Sequence, residues 1–177
     1  MYVWLVDGLG GTYAQVGVAS LILTLSEVVI LQNARDALAR LGVVGTLFLC
    51  CAAYGVRLGI YLAMTRTTTW LIYLSEPFHA LTFSIVNVAL GTHLRQVVVQ
   101  EELSARFGAA AQATLFSCAS LGRAAGFLIG GEVYSRWCAR ALWVASIQYA
   151  VPLMVVLVAA FSGLERARNQ REMQSLA

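Results

Sequence analysis

Five long stretches with almost no charge dominate the sequence and constrain what it can fold into. A helix crosses the hydrocarbon core of a bilayer with about 20 consecutive apolar residues. The charge-poor stretches comprise residues 8–34, 41–65, 67–94, 107–131 and 141–164. They predict an all-α, polytopic membrane helix bundle with about five transmembrane helices, at residues 14–34, 42–64, 70–93, 108–131 and 140–162.

Composition supports this fold class and excludes several others. Hydrophobic residues make up 59% of the 177 residues and charged residues 12%, against about 25% charged in a typical globular domain. So little polar surface excludes an ordinary soluble fold, and the apolar content excludes disorder. The net charge of +3 is scattered along the chain, which argues against nucleic-acid binding. No nucleophile–base pair, metal-ligand cluster or phosphate-binding loop is visible, so we expect no enzymatic activity, no metal and no cofactor.

The N-terminal apolar segment is too short to span a membrane. Met1–Val6 is apolar, and Asp7 and a glycine-rich segment follow it. We interpret residues 1–13 as the end of a truncated transmembrane helix and an outer loop. Residues 14–162 would form the five-helix bundle, and residues 163–177 a cytoplasmic tail in which Leu164–Ala177 forms a solvated helix. On this interpretation the chain is a piece of a longer protein.

The arginines in the connecting segments predict the orientation, because positive charge concentrates on the cytoplasmic side of a membrane. With the N-terminus outside, the inner segments carry seven arginines, which are Arg35, Arg40, Arg95, Arg106, Arg166, Arg168 and Arg171. The outer segments then carry three, which are Arg66, Arg136 and Arg140. We therefore expect a multi-pass protein with a cytoplasmic C-terminus.

Four of the five predicted spans contain ionisable residues, and these residues carry the expected chemistry. They are Glu27, Arg57, Glu76, His79 and Arg123. An ionisable side chain inside a bilayer is energetically unfavourable and usually faces a partner or an aqueous cavity. A carboxyl beside an arginine can bind a proton when neutral or form an ion pair when charged. The set therefore predicts an intramembrane charge network suited to proton coupling.

Helical spacing places polar and aromatic side chains on the same faces as these ionisable residues. The side chains expected to line a substrate cavity are Tyr54, Tyr61, Phe83, Asn87, Gln112 and Ser120. Structural interpretations stay open for single residues. Glu76 precedes Pro77 and could lie at the membrane interface, in the first turn of its helix. Arg57 and Arg123 could bind backbone carbonyls instead.

Glycines recur at every fourth position on two of the predicted spans. Gly55 and Gly59 lie on the second span, and Gly122, Gly126 and Gly130 lie on the fourth. Such stripes allow helix backbones to approach closely. We therefore expect both stripes to be helix-packing faces.

Several segments, taken in chain order, resemble one family of membrane proteins. The segments are Trp4–Gly11 (outer end of the family's seventh helix), Leu25–Glu27 (eighth), Arg35–Gly42 (cytoplasmic signature loop), Ala53–Arg57 (ninth), Leu74–Phe83 (tenth) and Ala111–Arg140 (eleventh and the following loop). In the loop, the matching residues include Arg35, Asp36, Arg40 and Gly42. The resemblance is to the major facilitator superfamily, in the branch called the MFS-associated domain family. That branch includes the macrophage MHC class I receptor homologues and is similar to the oligosaccharide and nucleoside proton symporters.

The resemblance implies that the chain is the C-terminal half of a secondary transporter, equivalent to the last five of twelve helices. Its partners would be the lipid bilayer, a small polar solute, protons and the missing N-terminal half. Proton symporters of this superfamily have ionisable residues on the same helices, although their histidine precedes the glutamate, whereas Glu76 precedes His79 here. Two alternatives stay open. One is a membrane receptor or interaction protein that has this fold without transport, and the other is a truncated gene product without function.

Overall fold

The computed structural model describes residues 1–100 and 105–175, and all regular elements in these ranges are helical. In chain order they are a π-helical segment at Trp4–Gly8, α1 (Tyr13–Ala63), α2 (Leu71–Gln100), α3 (Ala105–Ala145), a second π-helical segment at Ser146–Ala150, and α4 (Val151–Ser175). The predicted all-α class is therefore confirmed.

Single residues with non-helical backbone interrupt two of these helices. α1 breaks at Gly42 (φ 66°, ψ 177°), and α3 breaks at Cys138 (φ 75°, ψ 167°). We name the parts α1a (residues 13–41), α1b (residues 43–63), α3a (residues 105–137) and α3b (residues 139–145). A straight helix with the 51 residues of α1 would be about 75 Å long, more than twice the roughly 30 Å of a bilayer core. The break at Gly42 divides that length into two rods.

Two helical stretches, Tyr13–Ala63 and Phe107–Arg168, are long and apolar enough to cross a membrane. Each stretch contains one of the backbone breaks, and each is longer than a single crossing requires. The expected number of about five separate spans stays a prediction.

Helix α1a extends further than the sequence analysis predicts, and the tail is helical as expected. Residues 35–41, which we expected to form a connecting loop, continue α1a up to the break at Gly42. The predicted tail is helical from residue 163 to Ser175. Both segments are rich in Arg, Ala, Leu, Glu and Gln, which have high helix propensity. Of the predicted loop motif, Arg35, Asp36 and Arg40 lie exposed on the last turns of α1a.

A capping box fixes the start of α1. The Thr12 hydroxyl accepts a hydrogen bond from the Gln15 backbone N–H at 3.2 Å, and the Gln15 side-chain oxygen accepts one from the Thr12 N–H at 2.9 Å. This reciprocal pair satisfies two backbone donors that lack partners inside the helix. The Gln15 side-chain nitrogen also donates to the Thr69 hydroxyl at 3.2 Å. The start of α1 is therefore joined to the connection between α1 and α2.

The buried core lies at the end of the bundle where these segments meet. Its buried members are Leu5, Ala19, Leu58, Tyr61, Met64 and Ile72. They come from the N-terminal π-helical segment, both parts of α1 and the start of α2. Trp143 of α3b packs against this cluster through Tyr61, with ring centroids 5.0 Å apart. The N-terminal segment is consequently an integral part of the packing.

α2 also contacts α4 close to its other end. His93 Nδ1 lies 3.5 Å from Glu165 Oε1, and the His93 ring packs edge-on against Phe161 at 5.1 Å. α2 packs mainly against α1, whereas α3 contacts the rest of the described chain sparsely.

The sparse packing of α3 leaves large apolar side chains exposed. Phe127 is 79% exposed and Leu128 is 76% exposed. A Cβ added to Gly122 or Gly126 would meet no atom within 4 Å, and one added to Gly130 would meet only Leu142, at 3.9 Å. Gly55 and Gly59 on α1b are equally open. The structure therefore places no helix backbone directly against the five glycines that we predicted as packing positions.

Candidate functional site

Arg57 and Tyr61 form a side-chain pair on α1b. They are four residues apart and share one face of the helix. The Arg57 Nε donates a hydrogen bond to the Tyr61 hydroxyl at 2.5 Å, and the guanidinium carbon lies 5.1 Å from the centroid of the tyrosine ring. Tyr61 is only 3% exposed. A buried aromatic side chain therefore holds the guanidinium, and this contact orients it.

Glu76 lies in the second turn of α2 and is 1% exposed. This burial places its carboxyl inside the protein. The Tyr2 hydroxyl and the Arg57 guanidinium lie near it, but no direct ion pair within 4 Å joins Glu76 to Arg57. Among the described residues, no hydrogen-bond donor reaches the buried oxygen Oε2. The site therefore contains a buried acid that is close to an arginine without being paired with it.

His79 follows Glu76 by three residues and extends the site along the same face of α2. It is half-buried, and its ring centroid lies 6.4 Å from that of Phe83. Within the described ranges, its buried Nδ1 has no hydrogen-bond partner. Arg57 is the charged group that acts on it electrostatically. Arg57, Glu76 and His79 are thus brought together across the contact between α1b and α2, and we call them the charge cluster.

Glu27 and Arg123, which the sequence analysis placed in the same network, make no hydrogen bond or ion pair with this cluster in the described part of the chain. In the described part of the chain, no hydrogen bond or ion pair joins Glu27 to any other predicted network residue. Arg123 is exposed on α3a, and its Nη2 donates to the Ser120 hydroxyl at 2.9 Å. Of the predicted network of five, the structure therefore brings three residues together across the contact between α1b and α2 and shows no direct contact from the other two to these three.

The predicted cavity residues also separate. Tyr54 lines a cavity of about 600 Å³, together with Arg123. Asn87 and Gln112 line a second cavity, of about 410 Å³, between α2 and α3a. Tyr61 is buried in the core, and Phe83 is 49% exposed. The predicted cavity residues thus do not line one common cavity in the described part of the chain.

Sequence reasoning missed several residues of the site. Tyr2 lies beside Glu76 and Ser20, and Ser75 is fully buried next to Glu76. Trp143 packs against Trp4 at 6.0 Å and against Tyr61 at 5.0 Å. These side chains lie in apolar stretches of the sequence, where a single hydroxyl or aromatic residue does not indicate a functional site.

The described ranges contain no candidate metal-binding site. No group of three or more His, Cys, Asp or Glu side chains within them could hold a metal ion. Cys50 and Cys51 are buried free thiols, and Cys118 and Cys138 are exposed free thiols. The chemistry available at the site is therefore that of a carboxyl, an imidazole, a guanidinium and phenol hydroxyls.

Comparison with known proteins identifies the family. The model of the MFS_1 like family matches residues 1–145. No curated protein and no solved structure matches the chain. The match confirms the resemblance to the MFS-associated branch of the major facilitator superfamily at the family level. Because it covers most of the 177 residues, the chain belongs to the MFS_1 like family.

Proposed function

We propose that this chain is one half of a secondary transporter that carries a small polar solute across a membrane, and that proton movement drives the transport. Membership of the MFS_1 like family supports transport. The observation that carries proton coupling is the buried carboxyl of Glu76 beside Arg57. No covalent chemistry is involved, so the protein is not an enzyme.

The charge cluster has the elements that a proton switch requires. Removal from water disfavours the charged form of a carboxyl, and a nearby guanidinium favours it. The protonation of Glu76 therefore depends on how closely Arg57 approaches. At present Arg57 is bound to Tyr61, and Glu76 Oε2 has no partner within the described chain. A small shift of α2 against α1b would exchange this arrangement for an ion pair and release the proton.

His79 supplies a second proton-binding group on the same helix face. Its buried Nδ1 is without a partner in the part of the chain described, and Arg57 lies close enough to disfavour a second positive charge. Protonation of Glu76 and of His79 would therefore be coupled through Arg57. In our proposal, Glu76 carries the transported proton and His79 adjusts its release.

The proposed carrier crosses the membrane about five times within this chain. The breaks at Gly42 and Cys138 divide the long helices near the ends of the predicted spans. In carriers of this type, the solute site lies near the bilayer midplane between two pseudo-symmetric halves. A second, N-terminal half would complete that site, and the C-terminus would face the cytoplasm.

The test is proton flux in vesicles that contain the complete carrier. The chain, joined to the sequence encoded upstream of it, is reconstituted in liposomes loaded with a pH-sensitive dye, with an acidic exterior and a panel of polar solutes. We expect solute-dependent acidification of the interior. Glu76→Gln should reduce it to the level of protein-free vesicles, because an amide cannot carry the proton.

The matched control is Glu132→Gln on α3a. Glu132 is an exposed glutamate paired with Arg136, and its side chain is 59% exposed, so its loss should leave the solute-dependent flux unchanged. Wild-type flux in the Glu76→Gln carrier would disprove the proposed coupling. Loss of flux in both variants would also count against it, because the effect would not be specific to the buried acid.

A further inference from the structure

The cavity of about 600 Å³ is lined by aromatic, polar and charged side chains, and none of them belongs to the charge cluster. Its wall comes from the N-terminal segment, α1b, α3a and the region from α3b to the second π-helical segment. The residues that decide its chemistry are Trp4, Tyr54, Arg123, Tyr134, Trp143 and Ser146. Ligand-binding cavities in proteins have volumes of about 300–1,000 Å³. The cavity is therefore large enough for a small organic molecule.

The charge in this cavity is unbalanced. Arg123 lines it, and among the described residues no carboxylate does. A guanidinium has five N–H donors, and the Ser120 hydroxyl accepts from its Nη2. Arg123 lies within one of the two stretches apolar enough to cross a membrane, where a charged side chain requires a partner. Donors on Arg123 therefore stay available for an anionic group.

Trp143 adds a second donor that lacks an acceptor. Its Nε1 is buried, and no acceptor in the described chain reaches it. An indole N–H can only donate, so an acceptor on a ligand would satisfy it. Contacts with Trp4 and Tyr61 hold the ring in place. The Ser146 hydroxyl donates to the Leu142 carbonyl at 2.8 Å and accepts no hydrogen bond from Trp143 Nε1.

The rest of the wall is apolar. Gly126, Gly130 and Gly131 expose a flat stretch of α3a backbone to the cavity. A Cβ at Gly126 or Gly131 would enter open space. Phe127 and Leu142 complete this side. The glycine surface and the rings of Trp4 and Trp143 line the same cavity.

We propose that this cavity binds a small organic monoanion with an apolar body, such as an aryl or short alkyl carboxylate. The carboxylate accepts hydrogen bonds from Arg123, and the apolar body packs between the rings of Trp4 and Trp143 and the glycine surface of α3a. The inference names the solute class of the carrier and so rests on the proposed function. It also gives the glycines of α3a a role as a binding surface.

Three probes with the same ring system and different charge test the proposal. They are 2-naphthoate, 2-naphthalenemethanol and 2-naphthylmethylammonium, and binding is measured by equilibrium dialysis against the full chain in phosphatidylcholine nanodiscs, with empty nanodiscs subtracted. We expect saturable binding of 2-naphthoate that is at least about tenfold tighter than that of the other two. Equal affinity for the three probes would overturn the proposal.

Variants of one helix locate the binding site. Arg123→Gln should weaken 2-naphthoate binding about tenfold or more, and Arg123→Lys should keep the preference for the anion. Arg136→Gln, which removes an exposed arginine of the same helix, should have no effect. Trp143→Phe, which keeps the ring and removes the N–H, should weaken binding several-fold. Equal weakening by Arg123→Gln and Arg136→Gln would overturn the proposal, as would unchanged binding in Arg123→Gln.

Failure of this inference and failure of the proposed function give different results. Dialysis requires neither a proton gradient nor a second half of the carrier. Absence of selective anion binding, with proton flux that still depends on Glu76, would refute the anion site alone. Selective anion binding with flux that is independent of Glu76 would refute the proton coupling alone.

Discussion

Gly42 and Cys138 adopt nearly the same backbone conformation with very different side chains. Both combine a φ of about 70° with an extended ψ, a region that only glycine adopts readily. Gly42 therefore turns the chain between α1a and α1b without strain. Cys138 turns it between α3a and α3b under strain, because its Cβ crowds the backbone. The residue after each break starts a new rod, so these two positions set the directions of four helical parts.

We predict that Cys138→Gly stabilises the protein and that Gly42→Ala destabilises it, each by about 1–3 kcal/mol. The measurement is the thermal unfolding midpoint in detergent, followed by circular dichroism. Gly17→Ala serves as the control, because Gly17 is helical and a Cβ there would meet nothing within 4 Å. A lower midpoint for Cys138→Gly, or an unchanged midpoint for Gly42→Ala, would contradict the strain argument.

The sequence predicted part of the site at this scale, because charge inside an apolar stretch is conspicuous. Arg57, Glu76 and His79 were identified on that basis, and they do lie together. Tyr2 and Trp143 could not be identified, because a tyrosine or tryptophan in an apolar stretch is common in packed helices. Their importance arises from contacts across helices that are distant in sequence. The place of Glu27 in the network stays a prediction.

At the scale of elements, α3 differs from the other helices in how little of its surface is covered. Its apolar residues are exposed, and its glycines face open space or the cavity of about 600 Å³. The sequence predicted the all-α class, since hydrophobic length is a local property, whereas the five separate spans stay a prediction. It could not predict that the glycine stripe of α3 lies open, because helical spacing defines a face and does not specify what packs against it.

We predict that Gly126→Ala leaves the unfolding midpoint unchanged or raises it, because alanine favours a helix by roughly 1 kcal/mol over glycine and the added Cβ meets no atom. Gly11→Ala should lower the midpoint. A Cβ there would lie 2.9 Å from both the Leu5 Cγ and the Leu5 carbonyl oxygen. If Gly126→Ala were as destabilising as Gly11→Ala, Gly126 would be a helix-packing position, as its spacing first suggested.

At the scale of the whole molecule, family membership supports the functional assignment more strongly than the structure of the chain does. Membership of the MFS_1 like family and two apolar helical stretches support a membrane protein that is related to MFS transporters. The orientation rests on arginine counts alone. The sequence predicted the family from short motifs in chain order. It could not predict the solute, because the residues around the cavity come from four separate elements.

We predict that the C-terminus faces the cytoplasm. A green fluorescent protein fused after Ala177 should fluoresce, and alkaline phosphatase fused there should be inactive, because the first folds in the cytoplasm and the second outside it. A phosphatase fusion in the connection between α1 and α2, after Thr67, should be active. Phosphatase activity at the C-terminus would reverse the proposed orientation.

The central claim is that Glu76 carries a proton during transport, and the most direct test compares two modes of transport in one variant. Accumulation of solute against its gradient requires proton release in every cycle, whereas exchange of solute across the membrane at equal pH does not. In the complete carrier, Glu76→Gln should abolish accumulation and retain exchange at about the wild-type rate. Loss of both modes, or retention of both, would contradict the account.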